Sequence, residues 1–161
     1  MTNTKKTSLP LSDGEKALIS IDNQVCFQLY TASRLMTKQY QPALKALDLT
    51  YPQYLVMLVL WEAADSGLKL TVSALGTRLF LDSGTLTPLI KRLESKGLLD
   101  KARDPNDERQ VFVEITEKGL ALSAKAPAVP QALMCDIKKT SIDTLIELRD
   151  QLKLLVEELT Q

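Results

Sequence analysis

The stretch from Leu70 to Gly119 constrains the fold more than any other part of the chain, because two helical periodicities and then a strand alternation follow one another within it. Residues 71–79 read as a short helix with Val72, Leu75 and Leu79 on one face. Phe80-Leu81-Asp82-Ser83-Gly84 is a turn. A second helix follows, with Leu86, Leu89, Ile90 and Leu93 facing inward and Ser, Thr, Lys and Arg facing outward. Gly97 stands just past its end, where the chain commonly turns through a left-handed residue. Residues 98–102 are a candidate strand, and Asp104-Pro105-Asn106-Asp107 has strong turn chemistry. Val111, Val113 and Ile115 alternate with Phe112 and Glu114 as the returning strand.

Helix, turn, helix and hairpin in that order is the winged helix-turn-helix arrangement. Its second helix enters a major groove when one face is anchored and the other offers short donors and cations. Ser83, Thr85 and Thr87 cluster at the start of that helix, where base edges are touched, while Lys91 and Arg92 reach towards phosphates. At the hairpin tip Arg109 is placed to insert into the adjacent minor groove, with Asp107 orienting it through a charge-assisted bond. The competing reading of these side chains is an ordinary solvated helix face, and the complete order of elements favours DNA contact. Pro88 leaves two local geometries open. Either it lies inside the helix and deprives Gly84 of a hydrogen bond, or Thr87 caps a shorter helix that starts at Pro88.

The flanks are helical. A helix is expected from near Ile19, with Ile21, Val25, Leu29, Ala32 and Met36 at 3–4 spacing; Pro42 either kinks it or opens a second one. Thr50-Tyr51-Pro52 reads as a cap and helix start leading into the apolar run 54–61, buried nearly all round. Thr116-Glu117-Lys118 starts a further helix, Pro127 and Pro130 bend or break the chain, and 141–160 is a terminal helix carrying Leu145, Leu148, Leu152, Leu155 and Leu159. That leucine stripe has no partner inside a small winged module, so it is expected to pack with the first helix or across a dimer. The division expected is a flexible tail at 1–13, N-terminal helices at 14–66, the DNA-binding module at 67–119 and C-terminal helices at 120–161. The fold class is therefore mainly α: a winged helix-turn-helix with a β-hairpin wing and terminal helices forming a dimerisation core. Two-fold symmetry implies a homodimer on a pseudo-palindromic duplex operator.

Composition narrows the chemistry. Lys plus Arg and Asp plus Glu balance at 20 each, so any basic surface must come from placement rather than sum. The chain has no His, which removes Ser/His/Asp and Cys/His catalysis and the commonest zinc ligand. No enzyme activity, metal or other cofactor is expected. The tail lacks a signal peptide's apolar stretch, and no apolar run reaches the ~20 residues of a membrane span, so a cytoplasmic location is expected. The two Cys, Cys26 and Cys135, then point to thiol chemistry or plain burial.

Residues 81–89, Asp107-Glu108-Arg109 and Thr116-Glu117-Lys118-Gly119 resemble the MarR family of regulators. Asn23-Gln24-Val25-Cys26-Phe27, Tyr40 and the block Leu47 through Tyr54 are similar to its organic hydroperoxide sensors, the OhrR group. The resemblance implies an interlocked dimer in which Cys26 is the peroxidatic thiol, Tyr40 and Tyr51 hydrogen-bond its sulfur, and Cys135 resolves the sulfenic acid into an intersubunit disulfide. It implies a repressor that leaves its operator when an organic hydroperoxide oxidises Cys26. The alternative is a repressor released by a non-covalent phenolic ligand. Tyr40 lies fourteen residues after Cys26, about 21 Å along a straight helix, so it cannot reach the sulfur of its own unbroken helix. A partner helix running antiparallel brings it there.

Overall fold

The computed structural model describes residues 9–105, 107 and 109–160, which fall into two compact units, one ending at Lys38 and the other starting at Gln39. The expected tail at 1–13 lies mostly outside the described residues, as do Asn106 and Glu108 at the hairpin tip.

In the first unit, α1 (Asp13–Leu18) is opened by a capping box: Ser12 accepts the backbone N–H of Glu15, whose carboxylate accepts from Ser12. A 3-10 turn (Ile21–Asn23) separates it from α2 (Val25–Ala46). The helix expected from near Ile19 therefore starts six residues later. Ile21 fits the helical spacing but sits in the turn, because Asn23 and Gln24 donate their side-chain amides to the carbonyls of Ala17 and Leu18 at 2.8 and 2.5 Å. Those bonds close off α1 and oppose helix through the junction. Pro42 neither ends α2 nor opens a second helix. It lies within α2, where it removes the backbone hydrogen bond to Lys38.

The second unit is built on α3 (Tyr51–Asp65), in which Val56 and Met57 are fully buried and Leu60 nearly so. Buried Gln53 reaches back from its first turn to accept the N–H of Thr50 at 3.0 Å, satisfying a donor that the helix leaves free. Against α3 pack α4 (Val72–Leu79), α5 (Ser83–Ser95) and a sheet. β2 (Leu99–Arg103) and β3 (Val111–Ile115) form the expected hairpin, with Lys101 opposite Val113. A two-residue strand, β1 (Leu70–Thr71), adds to the other edge of β3 and gives the order β1-β3-β2. Two residues carry no periodicity, so β1 has no sequence signal.

α5 ends as its sequence indicates. Gly97 has φ +66°, its N–H bonds Glu94 O and that of Leu98 bonds Leu93 O. This is a Schellman motif, with Leu93 and Leu98 buried together. Pro88 lies inside α5, which is capped by Asp82, so the longer of the two helices holds. After β3 come α6 (Glu117–Leu122), a 3-10 turn (Ser123–Lys125), α7 (Ala128–Asp136) and α8 (Ile142–Leu159). Pro127 caps α7 and Pro130 occupies its first turn, where a missing N–H costs little.

α6 closes on the sheet through Gly119. A Cβ there would lie 2.1 Å from the carbonyl oxygen of Leu98, and the Gly119 carbonyl accepts the indole N–H of Trp61 at 2.9 Å. Gly119→Ala is thus expected to lose about 1–3 kcal/mol or more in urea unfolding. Gly14→Ala, where a Cβ meets nothing within 4 Å, leaves the midpoint nearly unchanged.

Candidate nucleic-acid interface and thiol site

α4 and α5 meet through a tight turn. Phe80 adopts a left-handed backbone (φ 54°), and Asp82 caps α5 by accepting the backbone N–H of Thr85 at 2.9 Å and its hydroxyl at 3.0 Å. These bonds, the backbone one foremost, hold the Asp82 carboxyl below the usual carboxylate range. The buried face of α5 is Leu86, Leu89, Ile90 and Leu93, as its periodicity requires. Ser83, Thr85, Thr87, Lys91 and Arg92 are all exposed on the opposite side.

Between this helix pair and the hairpin runs an open groove of about 1460 Å³. Ser83 and Thr87 border it from α5, and Lys101, Arg103 and Arg109 from the hairpin. Thr160, at the end of α8, borders it too. Thr85, Lys91 and Arg92 lie outside this groove, on neighbouring exposed positions. A Lys101–Glu94 ion pair at 3.0 Å ties β2 to α5 and sets the distance between the two walls. Lys91, Arg92 and Arg109 meet no carboxylate among the described residues. Asp107 does not orient the Arg109 guanidinium. Its carboxylate accepts the backbone N–H of Arg109 at 3.1 Å and the amide of Gln110 at 3.3 Å, so it shapes the turn rather than pairing with the guanidinium. Lys101 and Arg103 were absent from the sequence reading; their alternation along β2 was the available signal.

The cysteines are both free thiols and both exposed. Cys26 is the second residue of α2, in the first turn of a long helix; Cys135 is in the last turn of α7. Tyr40 and Tyr51 stand on either side of the bend between α2 and α3, half-buried, with ring centroids 5.2 Å apart. The set continues inward: Tyr54 is tilted against Tyr40 at 6.4 Å and edge-on to Trp61 at 6.2 Å. Burial raises the phenol pKa values of Tyr40, Tyr51 and Tyr54, with mutual repulsion of the phenolates adding to Tyr40 and Tyr54. Neither the Tyr40 nor the Tyr51 hydroxyl has a hydrogen-bond partner among the described residues. The pair is therefore two adjacent neutral phenols whose hydroxyls are open to solvent.

Fold and groove together define a winged-helix transcription regulator, and comparison with known proteins agrees. The SarA/Rot transcriptional regulator model matches residues 38–125. The chain belongs to this MarR-type family of transcriptional regulators. Among its relatives is the organic hydroperoxide resistance transcriptional regulator of Bacillus subtilis strain 168, 46% identical over 89% of this chain and 94% of that one. Reduced AbfR bound to DNA, the regulator from Staphylococcus epidermidis, superposes with a TM-score of 0.71 at 32% identity, covering 91% and 99% of the two chains. A disulfide-formed AbfR structure gives 0.58 at 35% identity, over 91% and 99%. A MarR variant from E. coli complexed with operator DNA gives 0.71 at 27%, over 89% and 99%. Among the described residues no helix is long and apolar enough to cross a membrane.

The tyrosine cluster generates a pH test. A phenol whose folded pKa lies above its free value of about 10 adds stability that is complete below pH 10 and lost as pH rises through the folded value. Urea unfolding is expected to weaken steadily above about pH 10. The slope should be shallower in Tyr51→Phe; an identical slope would remove Tyr51 from the titrating set.

Proposed function

We propose that this chain is one protomer of a homodimeric repressor, which holds a pseudo-palindromic operator while Cys26 is reduced and releases it when an organic hydroperoxide oxidises that thiol. The observation that carries the redox part is the Tyr40–Tyr51 pair, two phenols with ring centroids 5.2 Å apart that burial keeps protonated. A thiolate is the acceptor such a pair suits, and the chain has no His to serve instead. The relative that shares 46% identity is named for organic hydroperoxide resistance, and AbfR has been solved reduced on DNA, overoxidised on DNA and with its disulfide formed.

In this reading Cys26 of one protomer accepts hydrogen bonds from the partner's Tyr40 and Tyr51. The first turn of α2 adds the field of its free N–H groups, which favours an anion. The thiolate attacks the outer oxygen of the hydroperoxide, giving the sulfenic acid and the alcohol. The Cys135 thiol then condenses with the sulfenic acid, forming the disulfide and releasing water, which protects Cys26 from irreversible oxidation.

Dimerisation is supported by what the single chain leaves uncovered. Val25, Tyr30 and Leu35 on α2 are 66%, 59% and 59% exposed, and none of the described residues of α8 is buried. Isolated apolar residues on a surface are ordinary, but two helical faces of this length call for a protein partner. A second copy supplies it. Drawing α8 into that contact takes Thr160 out of the groove it borders, which opens the groove to a duplex.

DNA contact is assigned to Ser83, Thr85 and Thr87 for bases, Lys91 and Arg92 for phosphates, and Arg109 for the minor groove, with Asp107 fixing the turn. Arg109→Ala is expected to weaken operator binding and reduce the slope of log K against log salt by about one. An unchanged slope and affinity would place Arg109 outside the interface.

The cysteine variants test the switch. Cys26→Ser should bind the operator and ignore organic hydroperoxide. Cys135→Ser should still react at Cys26 but give no disulfide-linked dimer on non-reducing gels, and then pass to sulfinic acid by intact mass. If Cys26→Ser still releases DNA on treatment, the phenolic-ligand repressor becomes the better reading.

A further inference from the structure

The bend between α2 and α3 carries Tyr40 on one side and Tyr51 on the other, and its geometry is unusual at one residue. α2 ends in a second Schellman motif: Asp48 N–H bonds Lys45 O at 3.1 Å and Leu49 N–H bonds Leu44 O at 3.0 Å. The left-handed position of this motif, glycine in α5, is here Asp48 with φ 52°. A side chain there is disfavoured relative to glycine, and Asp is among the few that tolerate it. What the carboxylate does compensates for that disadvantage.

Lys96, the C-cap residue of α5, reaches across to this bend. Its ammonium donates to the backbone carbonyl of Asp48 and pairs with the Asp48 carboxylate at 3.0 Å. The Lys96 side chain is 30% exposed, less than the other paired lysines, while the Asp48 side chain it meets is 89% exposed. Its own backbone is fixed in turn, because Lys118 donates to the Lys96 carbonyl and Thr116 to that of Gly97, both at 2.7 Å. One ammonium thus joins the C-terminal ends of α2 and α5, where the partial negative charge of both helices favours it. Asp48 is two residues from the N-cap of α3 and three from Tyr51. The same cation sits on the helix whose other end carries Ser83, Thr85 and Thr87.

We infer that Lys96 and Asp48 form a clamp that couples the tyrosine-bearing bend to the DNA-reading helix, making Lys96 a positioning residue for the redox response rather than a residue that touches DNA or the thiol. The inference rests on the proposed redox switch. When the acceptor of Tyr40 and Tyr51 changes on oxidation, the bend they flank shifts, and the clamp passes that shift to the end of α5.

The test uses full-length protein and an operator duplex, with binding measured for the reduced and the hydroperoxide-treated forms. The readout is the ratio of their dissociation constants. Lys96→Met keeps the aliphatic stem and removes both contacts; Asp48→Asn keeps a left-handed backbone and removes the ion pair. Lys96→Met is expected to reduce the wild-type ratio about fivefold or more, within the usual range of coupling between sites. Asp48→Asn should reduce it by a smaller factor, and the double variant should match Lys96→Met rather than exceed it. The rate of sulfenic acid formation at Cys26 and the reduced-state salt slope should not change. Ratios within twofold of wild type in both single variants overturn the clamp. So does an equal loss of affinity in both redox forms with the salt slope lowered by about one, which is the mark of a phosphate contact. A wild-type ratio near one overturns the redox switch itself, and the clamp with it. If Lys96→Met does not fold, by circular dichroism and Trp61 emission, Asp48→Asn decides alone.

Discussion

The second unit depends on the burial of α3. Val56 and Met57 have no exposed surface, and α4, α5 and β3 all take their positions from this helix. Fixing α3 fixes two things at once. Its first residue is Tyr51, beside the bend from α2, and Trp61 near its far end bonds the Gly119 carbonyl at the base of the sheet. A shift at one end of so tightly packed a rod cannot be absorbed by local slack, because protein interiors are close-packed and move between discrete arrangements. The fold therefore sets the tyrosine-bearing bend and α5 against the same buried helix.

The rest of the chain is unfinished by itself. Leu44 is the first buried residue met along the described chain, and α8 contributes none. A long helix without a buried face gains little stability from its own hydrogen bonds in water, so its order requires packing against something. The functional reading accounts for this. The same terminal helices carry Cys26 and stand after Cys135, so in the proposed dimer completing the core would also assemble the redox site. Acidic and basic residues balance over the whole chain, and Lys101, Arg103 and Arg109 on the groove wall stand near Lys91 and Arg92 on the exposed face of α5.

Much of this was legible in sequence because it rests on local rules. The 3–4 spacing of Leu86, Leu89, Ile90 and Leu93, the alternation at 111–115 and Gly97 past the end of α5 each depend on residues close together in the chain. What was missed depends on side chains that redirect the backbone or meet across long separations. Asn23 and Gln24 break a helix that Ile21 and Val25 would otherwise extend, and only their bonds to Ala17 and Leu18 reveal it. Asp107 turned out to bind main chain rather than the guanidinium, a choice of partner that composition does not encode. The Lys96–Asp48 contact joins residues 48 apart, and neither has a local pattern that points to the other. For the tyrosines, the resemblance to known sensors singled out Tyr40 and Tyr51, and the structure adds that their rings are adjacent and that burial raises both phenol pKa values.

The central claim is that operator affinity is set by a reversible change at the thiol. Its most direct test is one sample of the wild-type protein carried through a full cycle, with fluorescence anisotropy of a labelled operator duplex read at each stage. The account predicts binding when reduced, loss after stoichiometric organic hydroperoxide, and full recovery after a dithiol, with the disulfide-linked dimer present only in the middle stage. Equal affinity at all three stages would contradict it, as would a loss that the dithiol does not reverse.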